Sequence, residues 1–343
     1  MTVLSVLWFF LIFVLIAGYF ILDGFDLGVG VLYPFVAKSD EDKAIARRAI
    51  GPVWDGNEVW LLTAGGALFA AFPAAYATTF SGFYLAVMLV LFGLIVRAVS
   101  FEFWAGDATW RKLWDVCFFL GSLLPALLLG VAVGNILAGI PMDANGDYAG
   151  VPLLGLVTPF TLLTGVLGLV MFMAAGASWL AVKAPEDSAL YGRAAKLRMP
   201  LQVAALALFV VVSVYALVGI APEMAPELGA ARVLFAVLAV VALAAAIVLG
   251  KGGVKGSLPA FLAQSVAALA LVGLLACSMF PNLVVASADS VGPAITLMSA
   301  AASDLSLTYM TVILCIGLPL VLIYHVVIYR TFRGRIRKED LAH

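Results

Sequence analysis

Residues 51–73 read GPVWDGNEVWLLTAGGALFAAFP, and the fold turns on how this stretch is placed. From Val59 onward it is apolar or small, and with the residues before it the run approaches the ~20 residues that a membrane-spanning helix needs. Yet Asp55 and Glu58 stand in its first turns, and carboxylates are costly in lipid. Pro52 suits a first helical turn, and acids there are favoured by the helix dipole.

The surrounding composition puts the helix in a membrane. Of 343 residues, 64% are hydrophobic and 11% charged, about half the charged share of a soluble domain, which excludes a water-soluble core. No basic n-region precedes the first apolar run, which is too long for a signal peptide, so the reading expects it to be retained as a span. Cys117, Cys277 and Cys315 each sit inside apolar runs and suit buried small hydrophobes, not a disulfide or metal framework. A net charge of −1 with no basic, aromatic-interleaved patch excludes nucleic acid as a partner.

Hydropathy predicts an all-α integral membrane protein of nine spans, at about 4–35, 51–73, 77–103, 113–138, 153–181, 197–219, 231–250, 257–280 and 303–330. The connections after spans one, three, five, seven and nine hold 17 of the 19 basic residues. The positive-inside rule assigns that side to the cytoplasm, with the N-terminus outside and the C-terminus inside. The opposite connections carry Asp143, Asp147, Glu223, Glu227 and Asp289 and no base, with Arg232 just inside the next span. Small residues at helix-packing spacing (Gly24 with Gly28; Gly165, Gly168, Ala174 and Gly176; Gly65 and Gly66) predict a compact bundle.

This orientation draws seven ionisable groups from four consecutive spans toward the cytoplasmic third: Asp23, Asp26, Asp55, Glu58, Arg97, Glu102 and Asp115. Asp23/Asp26 and Asp55/Glu58 are both i, i+3 pairs, each with two carboxyls on one helix face. Single acids near a helix start can snorkel to the interface or pair with Arg97 or Arg48. As a set, at about 2.5–3.5 kcal/mol per carboxylate at depth, they mark an ion or proton path. Crowding with one deep arginine makes carboxyls able to exchange protons, with uptake from the cytoplasm. Only two histidines are present, His325 near the inner end of span nine and His343 in the tail, too few for a set of haems. His325 reads as a satisfied interfacial residue, the ten methionines as packing, and Trp54, Trp60, Trp104, Trp110 and Trp114 mostly as interface anchors.

The segments GYFILDGFDLGVG (18–30), GPVWDGNEVWLLTAGGALFAAFP (51–73), FSGFYLAVMLVLFGLIVRAVSFEF (80–103) and GVAVGNILAGIP (130–141) occur in order. They resemble the successive signature segments of subunit II of the cytochrome bd-type quinol oxidases; the second half, closing on GRIRKED (334–340), resembles that family more loosely. The resemblance implies two four-helix bundles, about 1–140 with the acids and about 150–280, plus a peripheral ninth helix at about 303–330. It implies a bacterial or archaeal cytoplasmic-membrane complex that oxidises quinol and reduces dioxygen to water. Haem b and haem d would lie in the partner, subunit I; no haem or metal is expected on this chain, and none of its residues is catalytic. A bound quinone or lipid and a small accessory subunit are compatible with it. Carried onto this sequence, Asp23, Asp26 and Asp55 are the proton-path residues, Asp55 first among them. Glu58 joins them less firmly, and Arg97, Glu102 and Asp115 order the path or the subunit contact.

Two readings compete with this one. A proton-coupled secondary transporter would show related halves with matching interrupted spans, whereas here the charges crowd into spans one to four. A purely structural membrane subunit would tolerate Asn at Asp23, Asp26 and Asp55.

Overall fold

The computed structural model describes residues 2–220 and 224–341; Glu223 of the acidic connections and His343 lie outside the described residues. Twelve helices follow in order: α1 (Val3–Val36), α2 (Asp40–Ile50), α3 (Trp54–Ala71), α4 (Pro73–Gly82), α5 (Tyr84–Phe103), α6 (Arg111–Ala138), α7 (Pro159–Lys183), α8 (Ala189–Tyr215), α9 (Gly229–Gly250), α10 (Gly253–Met279), α11 (Leu297–Ala300) and α12 (Asp304–Thr331). Among the described residues eight helices are long and apolar enough to cross a membrane. The chain is a multi-pass, all-α membrane protein.

The second predicted span is the exception. Residues 51–53 form a turn, and α3 is an 18-residue helix, about 27 Å at ~1.5 Å per residue, with Asp55, Asn57 and Glu58 in its opening turns. It is shorter and more polar than the eight and lies against α1. The expected continuous span 77–103 is likewise broken: α4, which opens at Pro73, ends at Gly82, and the chain turns at Phe83 before α5.

α1 is central and packs on α3, α6, α7 and α10, while α7 also contacts α6 and α8, and α10 pairs with α9. Contact is closest between α1 and α7. A Cβ on Gly28 would stand 1.8 Å from the Phe172 carbonyl oxygen, and one on Gly176 2.4 Å from the Gly28 carbonyl carbon. Small residues thus bring backbones together, as the 24/28 and 165–176 spacing predicts. Gly65 and Gly66 do not fit that prediction: a Cβ on Gly66 meets nothing within 4 Å and one on Gly65 only Phe80. The outward faces of α8, α9 and α12 carry exposed Val211, Val214, Val233, Leu234, Ile313 and Ile316, an apolar surface suited to lipid. At the opposite end from α2, the 139–152 and 281–302 connections pair through Ile140 and Ala286, and β1 (Asn282–Val284) pairs antiparallel with β2 (Ile295–Thr296).

α2 escapes a hydropathy reading because it is short and charged, DEDKAIARRAI. Its signals are local. Ser39 and Asp42 form a capping box, three acids occupy its first turn, and Arg47 and Arg48 its last. Asp42 Oδ2 also accepts from Arg193 of α8 at 2.5 Å, and Arg193 Nε donates to the Val36 carbonyl, so one carboxylate ties α2, α8 and the end of α1. Burial pulls the Asp42 carboxyl upward, but the hydrogen bonds from Ser39 and Lys38 and the charge of Arg193 outweigh it and hold it below the usual carboxylate range. A carboxyl depressed on folding adds stability above its unfolded value, near 4, and loses it as pH falls through the folded one. Asp42→Ala is therefore expected to cost about 1 kcal/mol near neutral pH, in the range of a lost cap. Thermal unfolding of the detergent-solubilised protein should show the gap narrowing as pH falls from neutral through the carboxylate range; a gap that stays the same in acid would contradict the assignment.

Candidate functional site

The α1 sequence places Tyr19, Asp23 and Asp26 at i, i+4 and i+7, along one stripe of the helix. Both aspartates are 0% exposed and Arg97 of α5 is 2% exposed. α5 reaches this depth because Gly121 of α6 lies against it; a Cβ there would be 2.7 Å from the Arg97 backbone nitrogen. Arg97 Nη2 donates to Asp23 Oδ1 at 2.7 Å and also to Glu58 Oε1. On the adjoining residue of α3, Asn57 Nδ2 donates to Asp26 Oδ2 at 2.7 Å and to the Leu22 carbonyl at 3.1 Å. Tyr329 of α12 closes the set by donating to Asn57 Oδ1 at 3.2 Å.

Three carboxyls thus surround a single guanidinium, two bound by it and the third by a neutral amide. Asp23 Oδ2, Asp26 Oδ1, Arg97 Nη1 and the Tyr19 hydroxyl are buried without a hydrogen-bond partner among the described residues. Charges taken out of water are tolerated only when paired, so the pocket is held in place by what surrounds it and is costly for the fold. Chemically it offers carboxyl oxygens with free lone pairs beside fixed donors, an arrangement able to take up, hold and pass a proton.

Of the seven groups drawn together by the sequence reading, four meet here: Asp23, Asp26, Glu58 and Arg97. The others do not. Asp55 is exposed and makes no ion pair or side-chain hydrogen bond among the described residues, and the same holds for Glu102. The cause at Asp55 is helical geometry. α3 buries Asn57, Trp60, Ala64 and Ala71, and Asp55 lies two residues before Asn57, roughly 200° around the helix. Asp115 belongs to a separate clasp. It accepts from Tyr33 at 2.7 Å, pairs with Lys43 at 2.6 Å and faces Arg47 at 3.6 Å. Arg47 in turn donates to the Ser100 carbonyl at 3.0 Å and lies 4.5 Å from the Phe118 ring, tying α2 to α5 and α6.

The sequence reading missed Asn57, Tyr19 and Tyr329. Asn57 was available as the polar residue between Asp55 and Glu58; Tyr19 stands one helical turn before Asp23. Tyr329 lies 272 residues from its partner, and no local pattern announces that contact. Two tryptophans read as anchors are instead internal. Trp60 is buried and donates to His325 Nε2 at 3.2 Å, and Trp104 is buried under Arg47 and Arg111. Trp110 remains exposed. His325 faces inward from α12, with Nδ1 at 2.9 Å from the Val321 carbonyl.

The fold and pocket together define a class: multi-span helical membrane proteins with a buried acid–arginine pocket near one end. Residues 4–332 match the family described as Cytochrome bd terminal oxidase subunit II, and the chain belongs to that family. It is 46% identical over 189 residues to a probable cytochrome oxidase subunit 2 of Haemophilus influenzae, covering 53% of this chain and 50% of that one. It is 42% identical over 210 residues to cytochrome bd-I ubiquinol oxidase subunit 2 of Escherichia coli K12, covering 60% and 54%. The chain thus spans about half the length of the curated relatives it matches. Its fold is similar to the structure of bd oxidase from Geobacillus thermodenitrificans, with a TM-score of 0.71 over 96% of this chain and 99% of that one at 18% identity.

Proposed function

We propose that the chain serves as subunit II of a quinol:oxygen oxidoreductase complex in a bacterial cytoplasmic membrane, and that its acid pocket forms part of a proton path. In this reading the basic end of the bundle faces the cytoplasm. Protons pass from that side by way of Asp23, Asp26 and Glu58 toward an oxygen-reducing haem in subunit I. Arg97 holds Asp23 and Glu58 in place, and exposed Asp55 stands at the mouth or against the partner, with Glu102. Asp115 ties α2 to α6. The observation that carries the reading is the buried Asp23–Arg97–Glu58 and Asp26–Asn57 pairing, which fixes carboxyls in the membrane where packing alone has no use for them.

The donor set supports haem on the partner. A haem iron needs an unengaged imidazole nitrogen or another axial ligand, and His325, the one described histidine, has both ring nitrogens engaged. An apolar cavity of about 550 Å³ bounded by α1 and α6–α10 is lined by Leu167, Met171, Phe209 and Leu271, with Gln264 deep inside and Arg232 near the end opposite α2. Its size and lining suit a membrane molecule such as a quinone or lipid.

The test uses the assembled complex. Asp23→Asn, Asp26→Asn and Asp55→Asn are expected to slow quinol-dependent oxygen consumption with haem content preserved, on the order of the 10²-fold attributed to a lost proton-transfer group. Asp55, being exposed, should show the smallest loss. Normal turnover in all three variants would return the chain to a purely structural subunit.

A further inference from the structure

α12 is the helix least embedded in the bundle. Leu307 is its only fully buried residue, and most of its large apolar side chains are exposed. Beside partial packing of Met310, Leu314, Leu318 and Ile328 on the bundle, it is held by polar ties. Trp8 donates to Thr311 at 3.0 Å, Trp60 to His325 at 3.2 Å, and Tyr329 donates to Asn57 at 3.2 Å. In lipid such interhelical hydrogen bonds act as the glue that apolar packing cannot supply. The third tie differs from the others because it ends on the residue that holds Asp26.

The hydrogen-bond arithmetic at Asn57 has one solution. The Leu22 carbonyl can only accept, so the Asn57 atom 3.1 Å from it must be the amide nitrogen. The same nitrogen supplies Asp26 Oδ2, which leaves Asn57 Oδ1 toward α12, where the Tyr329 hydroxyl donates to it. Tyr329 is thus the sole partner of that oxygen among the described residues. It is also stacked on His325 at 6.4 Å between ring centroids and set edge-on to Trp179 at 6.0 Å, so its hydroxyl has little freedom to turn away.

We propose that Tyr329 is a positioning residue for Asp26: acting through Asn57, it locks Asp26 Oδ2 onto the amide and leaves Oδ1 as the oxygen that exchanges the proton. Asp26 Oδ1 is buried with no partner among the described residues, as the assignment requires. The inference rests on the proton-path reading above and names the residue that orders it. The charged and titratable groups around Asp26 are Asp23 on the same helix, Glu58 on α3 and Arg97 on α5. Tyr19 faces Asp23 from α1, and Tyr324 and His325 flank Tyr329 on α12. None of these replaces the Tyr329 contact to Asn57.

The test compares Tyr329→Phe with Trp8→Phe in the whole complex. Tyr329→Phe removes one hydrogen bond of α12 and Trp8→Phe removes two, to Thr311 and to the Leu307 carbonyl, while each keeps an aromatic ring, so a purely structural role for α12 predicts an effect of Trp8→Phe at least as large. The Asp26 side-chain band in the infrared difference spectrum is identified as the one that Asp26→Asn removes. Positioning predicts that Tyr329→Phe moves this band, displaces the pH profile of quinol-dependent oxygen consumption and lowers turnover roughly two- to tenfold, the size of one neutral hydrogen bond. Trp8→Phe should leave band and profile in place. An unmoved Asp26 band in Tyr329→Phe overturns the inference whatever Asp26→Asn does to turnover. A moved band together with normal turnover in Asp26→Asn overturns the proton-path reading and keeps the positioning role.

Discussion

Arg97→Leu is expected to remove most of the folded protein from the membrane fraction. Among the described residues Arg97 is the one cation in contact with the pocket, and its Nη2 serves both Asp23 and Glu58. Removing one member of a buried ion pair costs about 3–5 kcal/mol, because the surviving charge stays desolvated without compensation. Here two carboxyls are left, so the loss should lie toward the upper end of that range, a large fraction of the ~5–15 kcal/mol that separates folded from unfolded proteins. The cause is checkable by compensation. In the triple variant Arg97→Leu, Asp23→Asn, Glu58→Gln no charge is orphaned, and a buried ion pair replaced by neutral groups is often near neutral in stability. Abundance and thermal unfolding of the solubilised protein should therefore recover substantially in the triple variant, although turnover should not. A triple variant as unstable as the single one would mean that Arg97 acts by filling space between α5, α1 and α3 and not by its charge.

How much of this pocket could be read from sequence follows from the range of each signal. Span positions are carried by hydropathy, which sums over ~20 residues and survives local irregularities; each of the eight long helices overlaps a segment it places, α5 covering only Tyr84–Phe103 of the expected 77–103. Boundaries are decided locally, as at Phe83, where the chain turns between α4 and α5, and α2 is set by capping and dipole signals too short for a hydropathy window. The acids announce themselves because charge in a membrane is rare. Asp23, Asp26 and Glu58 were legible for that reason, and Arg97 with them. Asp55 does not join the buried pocket because an i, i+3 pair shares a helix face only approximately. The face that matters is set by Asn57 and Trp60, and Glu58 borders it while Asp55 points away. Asn57 carries no charge and Tyr329 makes its contact across most of the chain length, so neither stood out. What sequence conveys here is the presence of charge in lipid; which neutral residue holds each charge is a property of the fold.

The same distinction between a residue's type and its surroundings governs the glycines. Gly28→Ala is expected to be strongly destabilising, while Gly66→Ala is not, although both sit in helices that the sequence reads alike. A methyl group on Gly28 would lie 1.8 Å from the Phe172 carbonyl oxygen and 2.5 Å from its carbonyl carbon. Those atoms belong to the α7 backbone, so no rotamer change relieves the clash, and α1 and α7 must separate. Overpacking usually costs about 1–3 kcal/mol, and a backbone obstacle at the central helix pair should reach or exceed the top of that range. Separation would also reach the pocket, since Gly28 follows Asp26 by two residues and α1 carries Tyr19, Asp23 and Asp26 past α3. Gly66 has nothing within 4 Å of its would-be Cβ, and an exposed helical glycine replaced by alanine gains roughly 0.5–1 kcal/mol from helix propensity. Thermal unfolding of the two solubilised variants should move in opposite directions from the parent. If Gly28→Ala unfolds at the parent temperature, the α1–α7 contact is looser than the backbone distances require. If Gly66→Ala alone destabilises, then the exposed face of α3 around Gly66 is covered by another chain, which locates a partner interface on the helix that carries Asp55.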